Sequence, residues 1–246
     1  MSIKFLNITA GEFEAMTLFK YMSLPNAVDS IMKDTLWFSN PEMWKDPFES
    51  YFMNNAYDKA NVPFDFPLKD RLFVCCFSTI SRCEAQWRMY SKNNTSILFD
   101  ISKNGLIQSL GQLSSEYNIY IGKVVYLPTP VLMSDDVSTI ISSMNLSIPK
   151  SDIEKALFLM LCKRKAFQYE SEVRVFLIPK GESCKKSNGI KVNVSLKDIT
   201  KRYTISPLLK KDEQLAIKSV ILSMQNVKNV SCATLYDPVI NKVLNW

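Results

Sequence analysis

One stretch restricts the fold more than any other: Phe167-Gln168-Tyr169-Glu170-Ser171-Glu172-Val173-Arg174-Val175-Phe176-Leu177-Ile178. Its second half is β-branched and apolar enough to read as a strand. Alternation along that strand sets Glu170, Glu172 and Arg174 on one face. Two carboxylates one pleat apart repel each other, and an arginine beside them partly offsets the repulsion and tends to keep both ionised. Two readings follow: an edge strand carrying a solvated Glu/Arg ladder, or an anionic site at the mouth of a sheet.

A second strand, Leu72-Phe73-Val74-Cys75-Cys76-Phe77, is a continuous apolar run of the kind buried on both faces, and it ends in Ser78-Thr79. Hydroxyls at the end of a central strand lie where ligand sites are commonly built. They also cap helices, as Ser81 with Glu84 would do in a capping box. Trp87-Arg88-Met89-Tyr90 belongs to the helix that follows, Lys92 to Thr95 turn the chain, and Ser96 to Asp100 form the next strand.

Around these strands the other elements fall in order. A short helix is expected over Asn26 to Asp34 after Pro25, then a strand over Leu36 to Ser39 and an aromatic-rich loop from Trp44 to Glu49. Residues 54 to 70 and Ser134 to Lys150 read as polar connections. A polar helix is expected over 105 to 118 and one strand over Tyr120 to Leu127. Ser151 with Glu154 opens a helix whose apolar positions run from Ile153 to Leu161 and which delivers the chain into the Glu-Ser-Glu strand. After a basic turn from Gly181 to Gly189 come strands at Ile190 to Val194 and Tyr203 to Pro207, a helix from Lys211 to Met224 and a strand from Val230 to Leu235. With 47% apolar and 22% charged residues over 246 positions, this is one α+β domain spanning residues 1–246. Helices flank a central mixed or antiparallel sheet.

Absences narrow the chemistry. The chain has no histidine, which removes Ser-His-Asp and Cys-His catalysis and histidine-containing zinc sites. Its six glycines form neither a phosphate loop nor a dinucleotide fingerprint. Six cysteines without a Cys-x-x-Cys pair suggest reduced thiols and a cytoplasmic setting, and no apolar run suggests a membrane partner. The formal charge of +6 is spread over small basic clusters such as Lys163-Arg164-Lys165, which read as solvated faces. Nucleic-acid binding is allowed by that charge and not indicated by it.

Eight short motifs occur in register: Lys20-Tyr21-Met22-Ser23, Trp37-Phe38-Ser39-Asn40-Pro41, Asp46-Pro47-Phe48-Glu49, Cys76-Phe77-Ser78, Trp87-x-x-Tyr90, Phe99-Asp100, Val125-Tyr126 and Tyr169-Glu170-Ser171-Glu172-Val173-Arg174. In this order they resemble a bacterial family known as domain of unknown function 2971, over roughly residues 18 to 210. Trp44-Lys45 stands where a polar Asn is expected and Asn94 where a Gly is usual. The order of Lys20, Ser78-Thr79 and Glu170-x-Glu172 is also similar to that of ADP-ribosyltransferases of the Arg, Ser-Thr-Ser, Glu-x-Glu type. Lys20 replaces the arginine and Ile80 the second serine.

That second resemblance implies a split sheet and NAD as substrate. Lys20 would hold the pyrophosphate or ribose, and Ser78, with Thr79, would brace the nicotinamide ribose and the catalytic glutamate. Glu172 would stabilise the oxocarbenium-like transition state, and Glu170 would orient the nucleophile of a macromolecular acceptor. Tyr21, Trp87 or Tyr90 would stack on nicotinamide, and Arg174 joins the same face. The biological role implied is a toxin or anti-phage effector. Two alternatives remain open: a non-catalytic binding or sensor module of a defence system, with Glu170, Glu172 and Arg174 a structural ion network, or a nuclease holding Mg²⁺ on Asp46, Glu49, Glu170 and Glu172.

Overall fold

Apolar, β-branched runs become strands, and the longest of them lie at the middle of one large mixed sheet. The computed structural model describes residues 3–54, 66, 68–133, 139–140, 151–181 and 187–237. In chain order the elements are β1 (Lys4–Leu6), α1 (Ala10–Ala15), β2 (Leu18–Ser23), α2 (Leu24–Lys33), β3 (Thr35–Ser39), α3 (Pro47–Asn54), β4 (Phe73–Ser78), α4 (Glu84–Tyr90), β5 (Ser96–Ile101) and α5 (Lys103–Gln112). There follow β6 (Tyr117–Lys123), β7 (Val125–Leu127), α6 (Thr129–Leu132), α7 (Asp152–Leu159), β8 (Cys162–Arg164), a 3₁₀ segment (Lys165–Glu170) and β9 (Glu172–Pro179). The chain closes with β10 (Gly189–Asn193), α8 (Leu196–Ile199), β11 (Thr200–Ile205), α9 (Lys211–Leu222) and β12 (Val230–Cys232).

The sheet runs β1-β6-β9-β4-β2-β5-β11-β12, antiparallel except for the parallel outer pairs β1/β6 and β11/β12. One core packs α1, α2, α5, α8 and α9 on one face, with Phe13, Ile31, Leu106, Ile199 and Ile221 meeting Phe73, Val175 and Leu177. A second core seats Met53, Leu132 and Leu157 on the other face, against Val74, Phe176 and Ile178. Cys75 and Cys76 thus face opposite cores, as neighbours on a strand must.

The sheet forks at β4. At its C-terminal end β4 pairs with β2 through Ser78 and Phe19; at its N-terminal end it pairs with β3 through Val74 and Ser39. Between those two points β2 and β3 diverge, and β3 is backed by β10. The ammonium of Lys20 donates to the Cys76 carbonyl in the gap at 3.0 Å and lies over the Phe77 ring.

Several local expectations give way to tertiary packing. β9 is no edge strand: β6 and β4 flank it, and Glu172 through Ile178 are all buried. Glu170 is not on it, because the 3₁₀ segment ends there and Ser171 turns left-handed at φ 44°. The aromatic loop after Trp44 winds into α3, Cys83 rather than Ser81 is the cap of α4, and the 105–118 helix stops at Gln112 with Leu106 and Leu110 buried. The single strand over Tyr120 to Leu127 divides into β6 and β7, the latter pairing with β8 in a separate ribbon. α7, with Ser151 as its cap, ends at Leu159, so Met160 to Arg164 leave the helix. Nearly all of the 54–70 and 134–150 connections lie outside the described residues, although Phe66 and Leu68 are buried in the second core.

α5 approaches α8 so closely that a β-carbon on Gly105 would lie 2.2 Å from the Asp198 carbonyl oxygen. Backbone cannot move aside as a side chain can, so Gly105→Ala should cost about 1–3 kcal/mol. A lowered urea midpoint with unchanged slope is the expected result.

Candidate active site

The fork holds a cleft of about 220 Å³. β2 contributes Phe19, Lys20 and Tyr21 to its wall, β3 contributes Trp37 and Ser39, β4 contributes Cys76 and Ser78, and α4 contributes Gln86 and Tyr90; Glu170 and Glu172 close the inner end. One row of the sheet sets the depth of these groups, since Phe19, Ser78 and Glu172 are direct partners across β2, β4 and β9.

Behind the carboxylates is a buried ion network. The Lys163 ammonium donates to Glu170 Oε2 at 2.7 Å and Glu172 Oε1 at 2.5 Å, and lies 3.6 Å from Glu49 Oε1. Arg174 donates from Nε to Glu172 Oε2 at 2.8 Å, from Nη1 to the Met160 carbonyl at 2.6 Å and from Nη2 to Glu49, and its guanidinium stacks on Trp44. Alongside, Arg164 donates to Asp46 at 3.1 Å and stacks on Phe48. Three glutamates therefore share two cations, and the charges balance when one glutamate carries a proton.

That proton belongs on Glu170. Burial pushes its carboxyl up, and the hydrogen bond to Glu172 and the Glu172 charge add to this, raising it to about 8. Burial also opposes charge on Glu172, but Arg174, the hydrogen bond from Glu170 and Lys163 outweigh it and hold that carboxyl well below the usual carboxylate range. The pair is thus one acid and one anion. Burial and then the Glu172 charge raise the Tyr90 and Tyr126 hydroxyls, which stay protonated donors; Tyr126 accepts the Glu172 backbone N–H at 2.9 Å.

Ser78 and Thr79 hold the turn that presents the pair. The Ser78 hydroxyl donates to the Glu170 carbonyl at 2.8 Å, and Gln86 donates to Ser78 Oγ at 2.9 Å and to the Tyr169 carbonyl at 3.0 Å. Thr79 donates its backbone N–H to the Ser171 carbonyl at 2.9 Å, and its hydroxyl bonds the Ser171 hydroxyl at 2.6 Å. These bonds satisfy the backbone of the left-handed residue that lets Glu170 and Glu172 converge on one ammonium.

Of the residues singled out from the sequence, Glu170, Glu172, Lys20, Tyr21, Ser78 and Tyr90 line the cleft together. Thr79 lies behind the turn. Trp87 is buried under Tyr21, its ring edge-on at 5.0 Å, and belongs to the floor rather than the wall. Arg174 is 1% exposed and supports Glu172 from inside, so it does not reach a ligand. Lys163, read as part of a solvated basic cluster, is 5% exposed and is the centre of the network. Gln86 and Trp44 also went unnoticed as site residues; Gln86 stands one helical turn before Tyr90, a spacing that puts both on one face of α4. As for magnesium ligands, Glu49, Glu170 and Glu172 already surround an ammonium, and Asp46 is turned to Arg164.

Residues 86–175 match the family described as protein of unknown function (DUF2971), so the family likeness holds over a segment that runs from Gln86 through Arg174. No curated protein matches the chain.

Removing one partner of a buried pair leaves the other charge uncompensated, so Arg174→Met should destabilise by about 3–5 kcal/mol, read from denaturant unfolding. Glu170 gives a separate signature. Its carboxyl is raised from 4.5 unfolded to about 8 folded, so the native state binds the extra proton between those values. The stability that this proton supplies is complete below pH 4.5 and is lost as pH rises through about 8. Unfolding free energies measured across that range should decline in the wild type and decline less in Glu170→Gln.

Proposed function

We propose that the protein cleaves the nicotinamide–ribose bond of NAD and transfers ADP-ribose to a nucleophile, in the manner of ADP-ribosyltransferases. The observation that carries this reading is the pairing of an ionised Glu172 with a protonatable Glu170 at the closed end of an aromatic cleft. Neighbouring strands β2, β4 and β9 bring Lys20, Ser78 and Glu172 there in that spatial order. The fork of the sheet at β4 is in keeping with the split sheet of the resemblance.

The chemistry follows from those charges. When the C1′–N bond breaks, its electron pair leaves with nicotinamide, which departs neutral, and positive charge develops on the ribose. A fixed anion in a site shielded from water stabilises that charge without reorganising. Glu172 suits the task because its two oxygens have about four lone-pair sites, of which Lys163, Arg174 and the protonated Glu170 take three, so that one is left for the ribose. The acceptor's lone pair then attacks C1′ from the open side, and its proton passes to Glu170 when that carboxyl is ionised. Tyr21 and Tyr90, stacked at 6.1 Å, offer a flat apolar wall to the nicotinamide ring.

Purified protein incubated with NAD and cell lysate should release nicotinamide, with or without EDTA. Glu172→Gln should lower the rate by roughly 10²–10³-fold while remaining folded by thermal melt. Transfer should rise with pH through about 8 as Glu170 loses its proton, and Glu170→Gln should flatten that rise. Absence of release from a folded wild type would leave the ion network a structural feature of a binding module.

A further inference from the structure

The cleft does not end at Tyr90. A second, open cavity of about 570 Å³ adjoins it, sharing Lys20, Tyr21, Trp37 and Tyr90, and runs over the start of α2 toward the loop after α4. Its walls differ in kind from those of the inner cleft. Trp37, Met89 and Tyr90 are 43%, 46% and 37% exposed, an apolar surface gathered round one groove rather than scattered. Trp37 is set in place by Gly189, where a β-carbon would fall 2.3 Å from the indole.

Charge reverses along the groove. The inner end carries the Glu170–Glu172 pair, and the outer end carries Lys92 and Lys191, with Lys20 at the junction. The Lys92 ammonium has no hydrogen-bond or ion-pair partner among the described residues. Lys191 donates to Asp29 at 2.7 Å, and Asp29 also accepts from Lys33, so this one carboxylate in the outer groove is covered by two ammoniums. The outer end thus keeps a net positive charge beside exposed aromatic faces.

We infer that the outer groove is a nucleoside-diphosphate subsite, in which the base packs against Trp37 and Tyr90 and the diphosphate meets Lys92 and Lys191. Flat aromatic faces next to the unpaired Lys92 ammonium and to Lys191, which shares Asp29 with Lys33, recognise a base joined to phosphate, since stacking and charge each supply part of the affinity. A ligand spanning both cavities is cationic at the glutamate end and anionic at the lysine end. The assignment rests on the proposed NAD reading for the inner end only; the outer groove should take ADP by itself.

Calorimetric titration of the full chain with ADP, at low and physiological salt, tests it. Wild type should bind, and more weakly as salt rises. Lys92→Ala combined with Lys191→Ala should weaken binding about tenfold, as should Trp37→Ala. All three side chains are at least partly exposed, so melting temperatures should match the wild type. No heat of binding up to millimolar ADP from folded wild type, or equal affinity in the double variant, would overturn the subsite. Binding of ADP that the double variant loses, with no nicotinamide release from NAD, supports the subsite and sinks the catalytic reading; release with no ADP binding does the reverse.

Discussion

A buried ammonium organises this molecule. Taking Lys163 out of water costs far more than an apolar side chain would, and the cost is met only because Glu170, Glu172 and Glu49 surround it and Arg174 ties two of them from the other side. Its partners come from three other parts of the chain: Glu49 from α3, Glu170 from the 3₁₀ segment, and Glu172 and Arg174 from β9, while Lys163 itself is on β8. The network therefore exists only when β9 is packed between β6 and β4 and the β7/β8 ribbon is laid across that face. Low dielectric then works twice. It makes the mutual attractions strong, and it forces one carboxyl of the close pair to keep a proton.

Such a network would be inert if the sheet were continuous. β4 loses its neighbour over the few residues between its contacts with β3 and β2, and this opens the wall of the sheet in front of Glu170 and Glu172. Backbone polar groups left open in this way need partners, and Lys20 supplies one to Cys76. A cation at the mouth of the cleft is thus also a structural prop. The same fork leads outward between α2 and the end of α4, so that an anionic interior opens into a cationic, aromatic groove.

Much of the sheet was legible in the sequence. Leu72 to Phe77 is apolar at every position, and only a strand covered on both faces buries such a run. Val173 to Ile178 was legible as a strand but not as a central one, because Arg174 among its apolar residues suggested a solvated edge, whereas it is fully buried. The helix start marked by Ser151 lies at the observed boundary, because a hydroxyl acceptor acts locally; the helix expected from Asn26 begins two residues earlier, at Leu24, with Pro25 inside its first turn, where a fixed φ is also tolerated. The Ser151 helix is shorter than its apolar period suggests, because Cys162 to Arg164 gain more by pairing with β7 than by extending the helix. Aromatic residues after Trp44 misled for a related reason: Trp44 and Phe48 stack on Arg174 and Arg164, partners more than a hundred positions away.

The sequence by itself determined which charges are present, their order along the chain and the strands at whose ends they lie, because alternation and side-chain branching are properties of neighbouring residues. Only the tertiary structure decided which of those charges are buried. Glu170 and Glu172 meet through a left-handed Ser171 that local pattern does not announce, held by Thr79 just beyond the end of the adjacent strand. Lys163 and Lys165 are two residues apart in one basic cluster, yet one is buried among carboxylates and the other is exposed. Desolvation and Coulomb energy depend on distances through space, and these are fixed by the pairing of strands far apart in the chain.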